Sequence, residues 1–323
     1  MALHFSQHVE KSINEVFIMR YFLKRIYKPK KVVITDEDKE ISEQEFLKIR
    51  QANIVLKNAR ALEEIYEIVV IAYKDFEKKI FEFSLNNMIY IFSNHEDLSN
   101  TFISINAKLL NLLSSVTMYT DQSVHYVKNC FFEVENLNNL ESFFTTEYDN
   151  NIEYQFMEAL RNYVQHRGLP THLVKYPSRW TSIDEDGLLE YSLEFSSFKD
   201  RLMKDKKMKK KVLINLGDEI DLKMSTRSYV ESISNIHYSL RQIIKDSVTD
   251  CRNIIETIHN DYIYFFKGRM SSVQACKIDG QKLVESVPLL LEWDDIRIKL
   301  QKKNRKLTNL KKCYVTSAIK RNS

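Results

Sequence analysis

Glycine and proline are scarce in this sequence. The 323 residues include 5 Gly and 4 Pro, whereas these two residue types together usually make up about 12% of a chain. Tight turns depend on them, so their scarcity argues against all-β sandwiches and against Gly-rich nucleotide-binding folds. Long helices with few connections fit this composition best.

The chain also lacks paired cysteines, long apolar runs and a secretory leader. Its four cysteines are far apart, without a C-x-x-C pair, which disfavours a zinc site or a disulfide framework and predicts reduced thiols in a cytoplasmic protein. Charged residues interrupt every apolar stretch before it reaches about 18 residues, so no membrane span is predicted. The opening MALHFSQHVEKS lacks the basic-then-apolar pattern of a signal peptide.

Charge is nearly balanced. There are 48 basic and 44 acidic residues, giving a net charge of +4. This mild excess does not imply that the whole surface coats nucleic acid, but it is compatible with a local basic patch.

Apolar residues make up 44% of the chain and recur mostly at helical spacing, which predicts amphipathic helices. The predicted helices span residues 5–27, 42 to about 80, 97–133 (as one helix or a broken pair), 150–167, 222–266 and 292–312. Ser42 and Glu45 form a capping-box pattern at the start of the second helix. Asn86–Asn87 and Ser93–Asn94 are the predicted breaks in a stretch that has no Gly or Pro.

Few strands are predicted. Leu173–Trp180 and Leu188–Phe195 flank a polar turn and predict a β-hairpin in which Pro177 favours an edge position. The remaining predictions are short strands at 32–34 and 283–291, a loop at 268–280, and a basic helix or loop at 199–211. The sequence therefore predicts a mainly all-α fold class with a small β-hairpin insertion at 172–197.

The segment Glu158–Pro170 contains the most informative motif. Arg161 is followed by the polar Asn162 and, after four intervening residues, by His166, near the end of a predicted amphipathic helix. This Arg-x4-His pattern resembles the signature of the HEPN superfamily, and the resemblance covers this one helix. Members of that superfamily are small all-helical domains, and many are metal-independent ribonucleases of toxin–antitoxin, abortive-infection and CRISPR-associated systems.

The resemblance implies a metal-independent endoribonuclease that acts as a toxin or antiphage effector. It also implies a homodimer in which two motifs face each other across a two-fold axis, an RNA substrate, no cofactor or metal, and an antitoxin or regulatory partner. The HEPN-like core would span about 43–266 of a single elongated unit, 1–323, with a basic C-terminal segment at 283–323.

The residue types suit cleavage of RNA by its own 2′-hydroxyl. Histidine is the side chain suited to exchanging a proton near neutral pH, and His166 is the predicted general acid or base. Arg161 presents a planar, permanent charge to the phosphoryl oxygens of the transition state. Asn162 is predicted to orient one of these groups. Glu158, one helical turn earlier, is predicted to hold the guanidinium in place.

Basic segments are the predicted contacts to RNA phosphates. They are Lys206, Lys207, Lys209 and Lys210 within KDKKMKKK, and the basic last helix. A solvated charged face is the alternative reading of both segments. The remaining histidines have no partner spacing for a metal, and a second match, Arg167-x4-His172, is interrupted by Gly168 and Pro170 and is discounted.

Three alternatives stay open at this point. Arg161 and His166 are an ordinary surface pair under the first. Under the second, the chain is a non-catalytic helical scaffold or adaptor that binds a protein partner. Under the third, it is a structural phage or plasmid protein in which the motif arose by coincidence.

Overall fold

A computed structural model describes residues 19–25, 38–92, 94–131, 140–183, 187–206, 208–265 and 273–316. Helices dominate, with small antiparallel sheets, which confirms the mainly-α fold class. The helices are α1 Glu43–Tyr90, α2 His95–Lys128, α3 Leu140–Asn150, α4 Ile152–His166, α5 Lys199–Met203, α6 Lys210–Ile214, α7 Leu222–Phe265 and α8 Asp295–Lys303. The strands are β1 Met19–Arg25, β2 Lys39–Glu40, β3 Leu173–Lys175, β4 Ser178–Trp180, β5 Leu189–Tyr191, β6 Glu194–Phe198, β7 Glu219–Asp221, β8 Val273–Asp279 and β9 Lys282–Pro288.

The predicted capping box starts helix α1. Glu45 N–H donates to Ser42 Oγ at 3.1 Å, and Ser42 N–H donates back to the Glu45 carboxylate at 2.8 Å. The predicted break at Asn86–Asn87 is wrong, because α1 continues to Tyr90. The buried Asn87 side chain instead caps the end of the helix by accepting from the amide of Phe92.

Contacts divide the chain into two compact units, and the first comprises residues 1–54 and 250–292. It contains a four-stranded antiparallel sheet in the order β2-β1-β8-β9. Phe22, Cys276 and Ile278 form its buried core, with Leu283 packed against them.

Two local predictions fail in this unit. Residues 19–25, predicted as part of the helix at 5–27, form β1, and Val273–Asp279, within the predicted loop, forms β8. These strands pair along their whole length with Phe22 opposite Cys276. A partner about 250 residues away in sequence decides this pairing, and local apolar spacing does not reveal it. The rest of the predicted first helix and the strand at 32–34 lie outside the described residues.

The second unit comprises residues 55–249 and 293–323. The predicted hairpin is present in two parts, since β3 pairs with β6 and β4 pairs with β5. Pro177 lies between β3 and β4, where it removes a donor and interrupts the ladder. Strand β7 pairs with the other side of β6, so that β3, β6 and β7 form a three-stranded sheet.

The basic segment at 199–211, predicted as a helix or loop, contains both, since α5 and the start of α6 are joined by a loop. The predicted last helix at 292–312 is shorter than expected and is reduced to α8 and a 3₁₀ turn, Leu310–Lys312. The predicted strand at 283–291 is confirmed over residues 283–288 by β9, which ends at Pro288. In the described ranges, no helix combines the length and apolar character needed to cross a membrane.

We expect Asn151→Ala to lower the free energy of unfolding by about 2 kcal/mol. The Asn151 Oδ1 caps α4 by accepting from Tyr154 N–H at 3.1 Å, and its Nδ2 bonds the Ser228 and Ser232 hydroxyls of α7. Urea unfolding measures the loss. Asn94→Ala is the matched control, because Asn94 caps α2 from an exposed position and should cost about 1 kcal/mol. Equal losses would contradict the added role of the α7 contacts.

Candidate active site

Helix α4 carries all four residues of the predicted catalytic motif. Its buried face consists of Tyr154, Phe156, Met157, Ala159 and Leu160. Arg161 lies half-buried along one edge of this face, His166 is exposed along the other edge, and Asn162 is exposed on the side that faces away from it. The apolar face therefore fixes the helix, and the polar motif stays accessible.

The Arg161 guanidinium is held by two neighbours on its own helix. Its Nη1 lies 3.3 Å from Glu158 Oε2. Its Nε and Nη2 both donate to Asn162 Oδ1, at 3.4 and 3.2 Å. The hydrogen bonds to Asn162 use two of the five N–H donors of arginine. The guanidinium is thus held between a neighbouring carboxylate and a neighbouring amide oxygen, and 22% of the Arg161 side chain stays exposed.

Glu158 is itself anchored from the neighbouring long helix. The hydroxyl of Tyr229, on α7, donates to Glu158 Oε1 at 2.5 Å. Tyr229 is fully buried, whereas the Glu158 side chain is 18% exposed. The predicted supporting role of Glu158 toward Arg161 thus has a geometric basis within the described chain.

His166 is the last residue of α4. Five positions along a helix advance about 7.5 Å and rotate by roughly 140°, so Arg161 and His166 of one copy project from different sides. No hydrogen bond or ion pair joins them in the described ranges. A single copy therefore presents the two groups without bringing them together.

The turn after α4 is tightly fixed. Arg167 N–H donates to Tyr163 O at 2.8 Å, and a Cβ on Gly168 would lie 3.1 Å from the Tyr163 hydroxyl. Thr171 N–H donates to Asn106 Oδ1 on α2 at 3.2 Å. These contacts hold the end of the helix, and hence the backbone of His166, against the rest of the unit.

The discounted second histidine has a structural contact. His172 Nδ1 accepts from the amide of Phe198 at 2.9 Å, so the proton of the neutral ring is on Nε2. Burial and the nearby Arg201 lower the pKa of His172. It lies beyond the helix, as Gly168 and Pro170 predicted.

The predicted RNA-binding lysines lie beside α4. Lys206, Lys209 and Lys210 are exposed, and Lys207 lies outside the described residues. An ion pair of 3.2 Å between Arg167 and Asp205 ties this segment to the end of α4.

A buried polar network in the same unit was not predicted. Glu63 of α1 is fully buried and accepts from Arg241 Nε at 2.7 Å, from Gln301 Nε2 at 3.1 Å and from His237 Nε2 at 3.2 Å. The Arg241 Nη2 also donates to Glu63. The sequence contains one sign of this network: Glu63 follows Leu62 and places a charged residue within an apolar stripe of α1.

His237 completes this network as a neutral ring. Its Nδ1 lies 3.1 Å from the Tyr119 hydroxyl, and the Tyr66 ring stacks on it at 3.8 Å. Burial lowers the pKa of His237, so Arg241 is the cation that balances Glu63. Burial works to raise the pKa of Glu63, but the hydrogen bonds from His237 and Arg241 outweigh it and hold this pKa at about 2.

Burial closes this network to a substrate. Glu63 is fully buried, and His237 and Tyr119 are almost or fully so. The network therefore stabilises the packing of the helices, whereas the exposed polar residues of the predicted motif lie on α4. Among the described residues, no three His, Cys, Asp or Glu side chains form a group that would hold a metal ion.

Comparisons with known proteins add no family assignment. No protein-family model matches the chain, and no match was found among curated proteins or solved structures.

We expect Arg241→Met to lower the free energy of unfolding by about 3–5 kcal/mol, because it leaves the Glu63 carboxylate buried without its cation. Urea unfolding at pH 7 measures this loss. Arg179→Met is the control, since the Arg179 side chain is 83% exposed in its pair with Glu190 and an ion pair of this kind contributes little to stability. A comparable loss in both variants would contradict the special role of the buried pair.

Acid should destabilise the protein through the same network. The pKa of Glu63 is about 2 in the fold against 4.5 for the free group, so its stabilisation is present above pH 4.5 and is lost as the pH falls toward 2. The lowered pKa of His237 adds a loss below about pH 6.5, because the unfolded ring binds a proton first.

Unfolding free energies between pH 7 and 3 measure this dependence. The double variant Glu63→Gln/Arg241→Met should show a shallower pH slope than the wild type. An unchanged slope would show that other carboxylates control acid stability.

Proposed function

We propose that this protein is a metal-independent endoribonuclease of the HEPN type that cleaves RNA through Arg161 and His166. The observation that carries the proposal is the Arg161 guanidinium. Glu158 and Asn162 hold it on the surface of α4, where 22% of the Arg161 side chain stays exposed. The exposed His166 lies five positions later at the end of the same helix.

The proposed reaction is an internal transesterification. A base removes the proton from the ribose 2′-hydroxyl, whose oxygen attacks the adjacent phosphorus. The bond from phosphorus to the 5′-oxygen breaks, and an acid protonates that leaving oxygen. The products are a 2′,3′-cyclic phosphate and a 5′-hydroxyl end. His166 supplies the proton transfer, and Arg161 stabilises charge on the phosphoryl oxygens.

A homodimer brings together the two groups that one copy of α4 keeps apart, Arg161 and His166. Two copies related by a two-fold axis place His166 of one copy opposite Arg161 of the other. Two histidines then serve as the base and the acid of the same cleavage. The site is a composite cleft and is incomplete in a monomer.

The lysine segment extends this cleft. Lys206, Lys209 and Lys210 are exposed, and Arg167 ties their segment to α4 through Asp205. Lysines in this position attract the RNA backbone without reading its sequence, and salt weakens such binding.

The biological setting follows from the family resemblance alone. We propose a growth-arresting toxin or antiphage effector in a prokaryotic cytoplasm, controlled by an antitoxin or another regulatory partner.

A helical adaptor is the second candidate function. One exposed stripe of α1 favours it, with Phe81, Leu85, Met88 and Ile89 each 40–55% exposed. Their spacing places them along one side of the helix. Apolar side chains in such a row are typical of a surface that binds another protein.

We expect purified wild-type protein to cut fluorescently labelled RNA in EDTA. His166→Ala and Arg161→Ala should each lower the rate by about 100-fold or more, because each removes a group that acts in the transition state. Gel analysis of the product ends should show cyclic phosphates.

The matched controls are His95→Ala and Arg179→Ala, at exposed positions away from the motif. Both should cut at the wild-type rate. Cleavage that survives in both motif variants would refute the site, and the absence of cutting together with a stable protein complex would favour the adaptor.

A further inference from the structure

Helix α7 presents a buried hydroxyl to the catalytic motif. Tyr229 is fully buried, and its hydroxyl lies 2.5 Å from Glu158 Oε1. The second carboxylate oxygen, Oε2, lies 3.3 Å from Arg161 Nη1. Each oxygen of Glu158 therefore contacts a different residue, and the carboxylate links the core to the motif.

We infer that Tyr229 is a positioning residue for Arg161 and that it acts through Glu158. This inference rests on the proposed function, since it assigns a role at the same site. Tyr229 contacts neither the proposed substrate nor the guanidinium; it fixes the carboxylate against which the guanidinium is held.

The rigidity of this link follows from burial. The Tyr229 side chain is fully buried, and its ring packs against the Tyr154 ring at a centroid distance of 5.1 Å, which fixes the position of the hydroxyl oxygen. Burial and the nearby Glu158 carboxylate raise the pKa of Tyr229, so the hydroxyl remains a donor throughout the pH range in which an RNA-cleaving histidine works.

The link restricts the rotamers of the Arg161 side chain. A long side chain on a helix surface samples several rotamers, and ordering it costs free energy. Glu158 is only 18% exposed, so its anchored carboxylate restrains the guanidinium before RNA arrives. Without the Tyr229 hydroxyl, Glu158 is free to turn toward water, and Arg161 keeps only its contacts with Asn162.

The substitution Tyr229→Phe removes this hydroxyl and keeps the ring. We expect kcat for RNA cleavage to fall about tenfold, the size expected for one hydrogen bond to a charged group. KM should stay nearly constant, because the guanidinium acts mainly in the transition state. In the Glu158→Ala background, the same substitution should have no further effect, since the link is already broken.

Tyr119→Phe is the matched control. Tyr119 is also fully buried, and its hydroxyl contacts His237 rather than the motif. It should lower the thermal midpoint without changing kcat. If Tyr229→Phe cuts like the wild type, or if its effect is the same with and without Glu158, the inference is overturned.

A readout that needs no cleavage separates this inference from the proposed function. The Nη–H resonances of Arg161 report on the contact with Glu158, because Nη1 is the atom that meets the carboxylate. These resonances, assigned by their loss in Arg161→Lys, should shift and exchange faster with water in Tyr229→Phe but not in Tyr119→Phe. This result supports the link even if the wild type fails to cut RNA, an outcome that would refute only the proposed function. An unchanged Arg161 resonance in Tyr229→Phe overturns the link even in an active enzyme.

Discussion

The buried carboxylate of Glu63 is the constraint on which the helical unit depends. A charge without solvent is costly, so the fold has to supply donors from elsewhere in the chain. Arg241 and His237 supply them from α7, and Gln301 supplies another from α8. Because each bond requires a defined placement of its helix, the carboxylate specifies which faces of α1, α7 and α8 meet. Apolar packing alone would allow these faces to slide.

The motif helix depends on α7 through similar chemistry. Asn151 joins the start of α4 to two serine hydroxyls, and Glu158 joins its middle to Tyr229. Both bonds come from one face of α7, where Ser228, Tyr229 and Ser232 lie within two turns. The helix with the exposed motif is therefore held in place by α7, which carries none of the predicted catalytic residues.

Features encoded by neighbouring residues could be predicted from the sequence. The Ser42–Glu45 capping box, the end of α4 before Gly168 and the hairpin around Pro177 all follow from local rules of backbone conformation and hydrogen bonding. Strands β1 and β8 could not be predicted in this way, because each is defined by a partner far away in the chain. The same limit applies to the site: Arg161 and His166 belong to a local motif, whereas Tyr229 is 71 residues from Glu158 and carries no local signal.

The close approach of Gly168 to Tyr163 has an evolutionary consequence. A methyl group at position 168 would crowd the tyrosine hydroxyl at 3.1 Å, and the ring would have to yield by a few tenths of an ångström. Substitutions at positions 168 and 163 are therefore expected to depend on each other. A larger residue at 168 should be found only where a smaller side chain has replaced Tyr163.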